Sequence, residues 1–383
     1  MPQWALVNAR ILDGCGHELE GGGILVDDQG LIRAVEAHYH PPAGIPVEDA
    51  HGAWLLPGMI DAHSHIGLST SGEGAESRDG NEPTEAVTAD VRALDGINPA
   101  DPSIGDALAA GITAAYVTMG SANVISGVGA TIRLHGRTVE EMVMVPAAGM
   151  KAAMGENPKR VHGQGSKHRP SSRPGVAAVL REALERARRY ANQPPTGVKD
   201  WDPKLEALAM VVRGDLPLRV HCHRADDIMT AHRIAAEFGV RWVIDHGTEA
   251  HLIVDHVSRW DVPAVIGPSF GSASKAELRE KTFRTPGILA RAGVPTAIAS
   301  DHPVVPAMYL AIYAGLAVRE GMPEDLALAA VTRVPAAIAG VGDRVGTIEV
   351  GKEADVVLWN ANPFHDLQAR PLAVYVGGQM VHG

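Results

Sequence analysis

Pro57-Gly58-Met59-Ile60-Asp61-Ala62-His63-Ser64-His65 reads as a buried strand with two imidazoles at its end. The apolar run from Trp54 to Ile60 stops in polar residues, and the histidines stand at i and i+2. On a strand that spacing puts both side chains on one face. A bare His-x-His is most often a pair of surface histidines. A pair that closes an apolar run stands at the mouth of a buried strand, where both rings can reach one ion.

The same pattern recurs outward from this point. Ile112 to Val117, Leu218 to Val220, Trp242 to Ile244, Ala264 to Ile266 and Pro295 to Ala299 are short apolar runs that end in polar residues. Between them lie helical patterns. Val176 to Tyr190 reads as a charged surface helix and Ala307 to Val318 as a buried one. Ile228 to Phe238 has Asp226 as N-cap and Gly239 as its stop. Such alternation, with continuous apolar strands, predicts a parallel sheet covered on both faces. Roughly eight units fit, which predicts an α/β fold, a (β/α)8 TIM-like barrel with its chemistry at the C-terminal strand ends. The two ends of the chain are β-rich instead. Residues 1–55 and 345–383 are expected to pair into a small β-sandwich domain beside a catalytic barrel of residues 56–344. Two polar stretches interrupt the alternation, 67–102 and 155–173, and long loops of that kind over a barrel mouth are more often active-site lids than linkers.

Other strand ends repeat the chemistry. In Val220-His221-Cys222-His223 one histidine of the pair is expected to bind metal and the other to touch substrate, with Cys222 facing away as a small hydrophobe. His246, after Ile244-Asp245, stands one unit further on. Asp301, in Ala299-Ser300-Asp301-His302-Pro303, can bind metal and take a proton from water, a role that competes with N-capping the next helix. The composition agrees: the 383 residues contain 18 histidines and 2 cysteines, too few thiols for a disulfide framework or a Cys-rich structural zinc site. A ligand set of nitrogen and oxygen suits open-coordination Zn2+, with Mn2+ or Fe2+ as alternatives.

Taken in order, the Pro57–His65 segment, His221, His246 and Asp301 resemble the amidohydrolase superfamily, and the tail from Val345 to Val357 is similar to the segment that returns to its β domain. The resemblance is nearest to the imidazolonepropionase-related branch, which includes prolidase-like dipeptidases. It implies that His63 and His65 bind the more buried ion with Asp301, and that His221 and His246 bind a second ion or orient substrate and water. In binuclear members a carboxylated lysine or a glutamate bridges the ions; Lys151 is the match, although it follows Gly149-Met150 where the family lysine lies inside the apolar run, and Glu156 is the weaker one.

The formal net charge of −11 argues against nucleic-acid and anionic-membrane partners, yet the stretch from Lys151 to Arg173 is basic. Arg160, and Arg224 after His223, are the expected clamps for a substrate carboxylate, against the plain alternative of a solvated loop. The expected activity is metal-dependent hydrolysis of an amide or cyclic amide C–N bond in a small molecule or dipeptide. Asp301 serves as general base, with His246 and His223 assisting. The alternative is a mononuclear deaminase or imidazolonepropionase-like hydrolase in which Lys151 is no ligand. A non-enzymatic scaffold would have lost ligands that this chain keeps. No basic leader or apolar span is evident, so a cytoplasmic protein is expected, with homo-oligomerisation suggested by the resemblance.

Overall fold

The computed structural model of the chain describes residues 3–70, 74, 77–192, 201–271 and 273–383. The chain starts with β1 (Trp4–Leu12), β2 (Glu18–Val26), β3 (Ile32–Ala37), β4 (Val47–Asp49) and β5 (Trp54–Pro57). Gly58 then turns it into a second sheet. A side chain is excluded there, because a Cβ would lie 2.3 Å from Thr113 Oγ1.

The second sheet is formed by β6 (Met59–Ser64), β7 (Ile112–Val117), β8 (Ile125–Arg133), β9 (Val143–Ala153), β10 (Leu218–Cys222), β11 (Trp242–His246), β12 (Ala264–Ile266) and β13 (Thr296–Ile298). Their order in space is their order in sequence. The segment after β13 returns to β6: Asp301 N donates to His63 O at 3.0 Å and His65 N to His302 O at 2.8 Å. The sheet therefore all but closes into a TIM-like barrel. The outward faces of its strands are apolar because helices cover them, for example Val176, Leu180 and Leu184 of the helix Arg173–Ala191.

The barrel departs from the expected (β/α)8 repeat at one strand. β8 runs antiparallel to both β7 and β9. The link from β7 to β8, residues 118–124, is too short for the crossover that parallel neighbours need, so these strands form a hairpin.

After the barrel, β14 (Val356–Trp359), β15 (Pro371–Val376) and β16 (Gln379–His382) rejoin the first sheet in the order β16-β15-β14-β5-β1-β2-β3, with β4 on β1. Where a sandwich was expected, hydrogen bonds link the terminal strands into one continuous mixed sheet. The reason is β5, which pairs on both edges: parallel to β1 and antiparallel to β14, with Leu55 opposite Leu358. Leu6, Ile11, Ile24, Leu55 and Val356 form its apolar core. Of the stretch 67–102, residues 71–73 and 75–76 lie outside the described residues; its later part bridges to β8 at Val87–Ile125 and Arg92–Val128. The stretch 155–173 begins as a helical turn, Glu156–Lys159, that widens into a π-helical segment, Arg160–Ser166. No helix among the described residues is long and apolar enough to cross a membrane.

Arg133 of β8 ties the barrel to the returning chain. It contacts Asp355 Oδ1 at 3.2 Å and also pairs with Glu353. Burial pushes the Asp355 carboxyl up, and Arg133 opposes that shift. Arg133→Met leaves a buried carboxylate without its cation and is expected to cost about 3 kcal/mol, read as a lower urea midpoint at unchanged slope. A loss below about 1 kcal/mol would reduce the pair to an ordinary surface contact.

Candidate metal centre

Five strand ends converge at the mouth of the barrel. β6 brings His63 and His65, β9 Lys151, β10 His221 and His223, β11 His246, and the turn after β13 brings Asp301. Lys151 lies inside β9, which runs on to Ala153, so the departure noted from the sequence disappears: the lysine sits within the strand. Lys151 Nζ is 3.2 Å from His63 Nε2. Asp301 Oδ1 is 3.7 Å from His63 Nε2 and 3.2 Å from His65 Nε2. The His246 ring centroid is 4.7 Å from that of His63 and 4.5 Å from that of His221. His223 stands 4.6 Å from His221. Two sets of donor atoms each lie within 4.8 Å of one another: His63, His246 and Asp301, and His221, His223 and Glu277.

Each ring is held from behind. His65 Nδ1 meets Thr118 O at 2.6 Å, His246 Nδ1 meets Gly267 O at 2.6 Å, and His223 Nδ1 meets Thr248 Oγ1 at 2.8 Å. His221 Nε2 is 3.3 Å from Asn157 Nδ2, and its Nδ1 is buried with no hydrogen-bond partner among the described residues. Two of these residues have left-handed backbone, His246 at φ 75° and Asp301 at φ 56°. Such conformations cost about 1–3 kcal/mol and persist where the surroundings enforce them. The turn at His246 breaks strand alternation, so Asp245 and His246, though adjacent, both lie inside the barrel, His246 at the centre and Asp245 behind His63.

The electrostatics favour a cation. Burial holds the His63 imidazole down at about 3, helped by Lys151, and burial likewise lowers His221, His223 and His246, so all four are neutral near pH 7. Burial would raise Asp301, but His246, His65 and His63 outweigh it and keep the carboxylate ionised. Burial lowers the Lys151 amine to about 8. Neutral imidazoles, an ionised carboxylate and a readily deprotonated amine, with no thiolate facing them, make a donor set that suits a divalent ion.

The expected substrate clamps are not brought to this centre. Arg160 is exposed on the outer side of its loop. Arg224 spends its fork on Asp226, with both bonds at 2.8 Å. Glu156 presents its backbone N–H to Glu277 Oε1 at 2.7 Å and is in neither of the two donor sets. The inward basic residue of that loop is Arg173, bonded to Asp227 Oδ2 at 3.0 Å and Glu277 Oε1 at 2.6 Å.

Four further residues were not singled out from the sequence. Asp61, fully buried, accepts from Ser300 N at 3.1 Å and pairs with Ser300 Oγ. Arg219, also fully buried, donates to Asp245 Oδ1, whose other oxygen is 3.0 Å from His63 Nδ1. Lys275 Nζ contacts Asn157 Oδ1 at 3.1 Å and Glu277 Oε2 at 3.5 Å. Parity was a usable signal for Asp61 and Arg219, which stand two positions before His63 and His221. Asp245 and Lys275 left none.

Comparison with known proteins gives the family. The model of the Amidohydrolase family matches residues 54–381, and the chain belongs to that family. It is 32% identical to Amidohydrolase tasK of Hapsidospora irregularis over 93% of its own length, and spans 39% of that protein. It is 25% identical to imidazolonepropionase of Polaromonas sp. (strain JS666 / ATCC BAA-500), covering 93% of this chain and 85% of the relative. Among solved structures, an amidohydrolase from Thermotoga maritima MSB8 superimposes with a TM-score of 0.94 at 40% identity, over 99% of both chains.

Burial raises the Asp61 carboxyl to about 6, against the bonds from Ser300 that lower it. The folded state therefore favours the protonated form, and stability from this group is fully present below the unfolded value of 3.8 and lost as pH rises through about 6. In metal-free protein, Asp61→Asn is expected to gain on the wild type by about 2 kcal/mol between pH 4 and pH 7 in urea unfolding. A difference that does not change with pH would show that Asp61 is ionised throughout.

Proposed function

We propose, from membership of the amidohydrolase family, that this chain hydrolyses an amide or cyclic amide C–N bond of a small carboxylate-bearing molecule or dipeptide. His63, His65, Lys151, His221, His246 and Asp301 would hold divalent metal, with Zn2+ the best match. The observation that carries this reading is that six side chains from five separate strand ends meet within contact distance of one another.

A divalent ion at such a centre polarises a carbonyl and brings the pKa of a water near 7. The protein supplies the rest. Asp301 accepts a proton from the attacking water on its carboxylate and passes it to the departing nitrogen. Its left-handed backbone and its bond to His63 O keep that carboxylate aimed into the barrel. His223, neutral and fixed by Thr248, presents its other nitrogen to the substrate carbonyl. His246 orients the water beside Asp301. Lys151, with its amine lowered to about 8, is readily unprotonated and can add CO2 with release of a proton; the resulting carbamate would be a further oxygen donor for divalent metal. Lys275 takes the role expected of Arg160 and Arg224: it lies beside His221 through Asn157 and is the cation best placed for a substrate carboxylate. The free thiols Cys15 and Cys222 accord with a reducing, cytoplasmic setting.

A second reading, a mononuclear deaminase or imidazolonepropionase-like hydrolase, is favoured by the direct contact of the Lys151 amine with His63 Nε2, which serves an unmodified lysine equally well.

Elemental analysis of purified protein separates the two. About two ions per chain is expected, falling to about one in Lys151→Ala, with reconstitution of wild type accelerated by bicarbonate. Against N-acyl amino acids, dipeptides and cyclic amides, Asp301→Asn is expected to lower kcat at least 100-fold. One ion per chain with no bicarbonate effect selects the mononuclear reading, and undiminished turnover by Asp301→Asn removes the base.

A further inference from the structure

The histidines of the centre differ in what stands behind them. His65 and His246 lean on main-chain carbonyls, those of Thr118 and Gly267. His223 leans on a hydroxyl. His63 alone among these histidines faces a carboxylate on the side away from the centre: its Nδ1 lies 3.0 Å from Asp245 Oδ2. Both atoms are buried and have no other polar partner among the described residues; they lie within hydrogen-bond distance of each other, though not aligned as a hydrogen bond.

That carboxylate is itself held. Asp245 Oδ1 accepts from Arg219 Nε at 3.1 Å and Nη2 at 2.8 Å. Arg219 Nη2 also donates to Ala62 O at 2.8 Å, next to His63 in β6. The guanidinium lies over the Tyr116 ring, 4.0 Å from its centroid. Arg219, Tyr116 and Asp245 are each fully buried. A buried arginine is expensive, and a single oxygen that takes two of its donors leaves the second oxygen for one purpose. That second oxygen reaches His63.

We infer that Asp245, presented by Arg219 from the floor of the barrel, is a positioning residue that fixes the His63 proton on Nδ1 and so turns the Nε2 lone pair toward the centre. This inference rests on the proposal that His63 holds metal, but its first consequence is a property of the metal-free protein. A carboxylate behind a histidine selects its tautomer and raises its basicity as a ligand. Asp245→Asn keeps an acceptor for Arg219 on Oδ1 and can place an amide N–H against His63 Nδ1, which moves the ring proton to Nε2 and blocks the ligand lone pair.

Two measurements test this. In 15N-histidine-labelled, metal-free protein, His63 is expected as the Nδ1–H tautomer in wild type and as the Nε2–H tautomer in Asp245→Asn. In chelator competition, the more tightly held zinc ion of wild type is expected to bind about 10–100-fold more weakly in the variant. A role confined to stability would move neither the tautomer nor the affinity of the folded fraction. An unchanged tautomer together with unchanged zinc affinity overturns the inference. If Asp245→Asn does not fold, the double variant Arg219→Met/Asp245→Asn removes the buried charge pair together and is read by the same two measurements. A wild type that binds no zinc but shows the Nδ1–H tautomer of His63 sinks the metal-dependent reading and leaves the positioning role standing.

Discussion

Two backbone hydrogen bonds between the end of β6 and the turn after β13 hold the rest of the molecule in its working form. Asp301 N to His63 O and His65 N to His302 O close the barrel where its first and last strands meet. They also place the Asp301 carboxylate on the His65 ring, because the main-chain bonds and the side-chain contact share the same residues. Closure and site assembly are thus one event: a barrel open at this seam would lack its carboxylate. Asp61 reinforces the seam from within by accepting both the N–H and the hydroxyl of Ser300. The left-handed Asp301 is tolerated because strand pairing, the Asp61 bonds and the ring contacts all demand the same backbone path.

Gathering this many polar groups inside a barrel has an electrostatic cost that the chain distributes unevenly. The imidazoles stay neutral, which avoids like-charge repulsion around Lys151. The negative charge is kept on Asp301 and Asp245, each opposed by cationic or hydrogen-bonding neighbours, and the positive charge of Arg219 is spread over Asp245, a carbonyl and an aromatic face. Below the metal ligands lies a second polar layer, Arg219 and Asp61, reached by stepping back two residues along β10 and β6. His65, His223 and His246 are each held by a buried hydrogen bond, whereas His221 Nδ1 and Arg219 Nη1 have no partner among the described residues.

Much of this was legible in the sequence. The runs that end in His63, His65, His221, His223, His246 and Asp301 are strands of the barrel or their immediate ends, because a buried parallel strand must be apolar until it reaches the mouth. The reading weakened where local pattern and tertiary setting part. β8 was missed because an antiparallel strand inside a barrel, glycine-rich at Gly127 and Gly129, carries no βα signal. Asp245 was hidden because taking His246 as inward-facing assigns its neighbour to the outer face; in the structure Asp245 shares the inner face with Val243, and it is His246 whose left-handed backbone departs from strand parity. Arg160 and Arg224 were overvalued because proximity in sequence to a ligand says nothing of which way a long side chain turns. Lys275 was unreadable because its partner Asn157 is more than a hundred positions away.

The basic loop shows why charge alone misleads. Arginines on the stretch 155–173 differ not in chemistry but in what they meet. Arg173 is drawn inward because Asp227 and Glu277 are buried and need a cation, whereas Arg160 is exposed. Glu277 is the shared node: its Oε1 takes Arg173 and the Glu156 N–H, its Oε2 faces Lys275, and Gly155 must lack a side chain because a Cβ would sit 2.4 Å from Oε1. The loop after β9 and the loop after β12 are thereby locked to each other at the rim beside His221 and His223. Two cations and two carboxylates thus neutralise one another at this rim. Family membership does not specify these loop residues, whereas the candidate metal ligands stand on the strand ends beneath them.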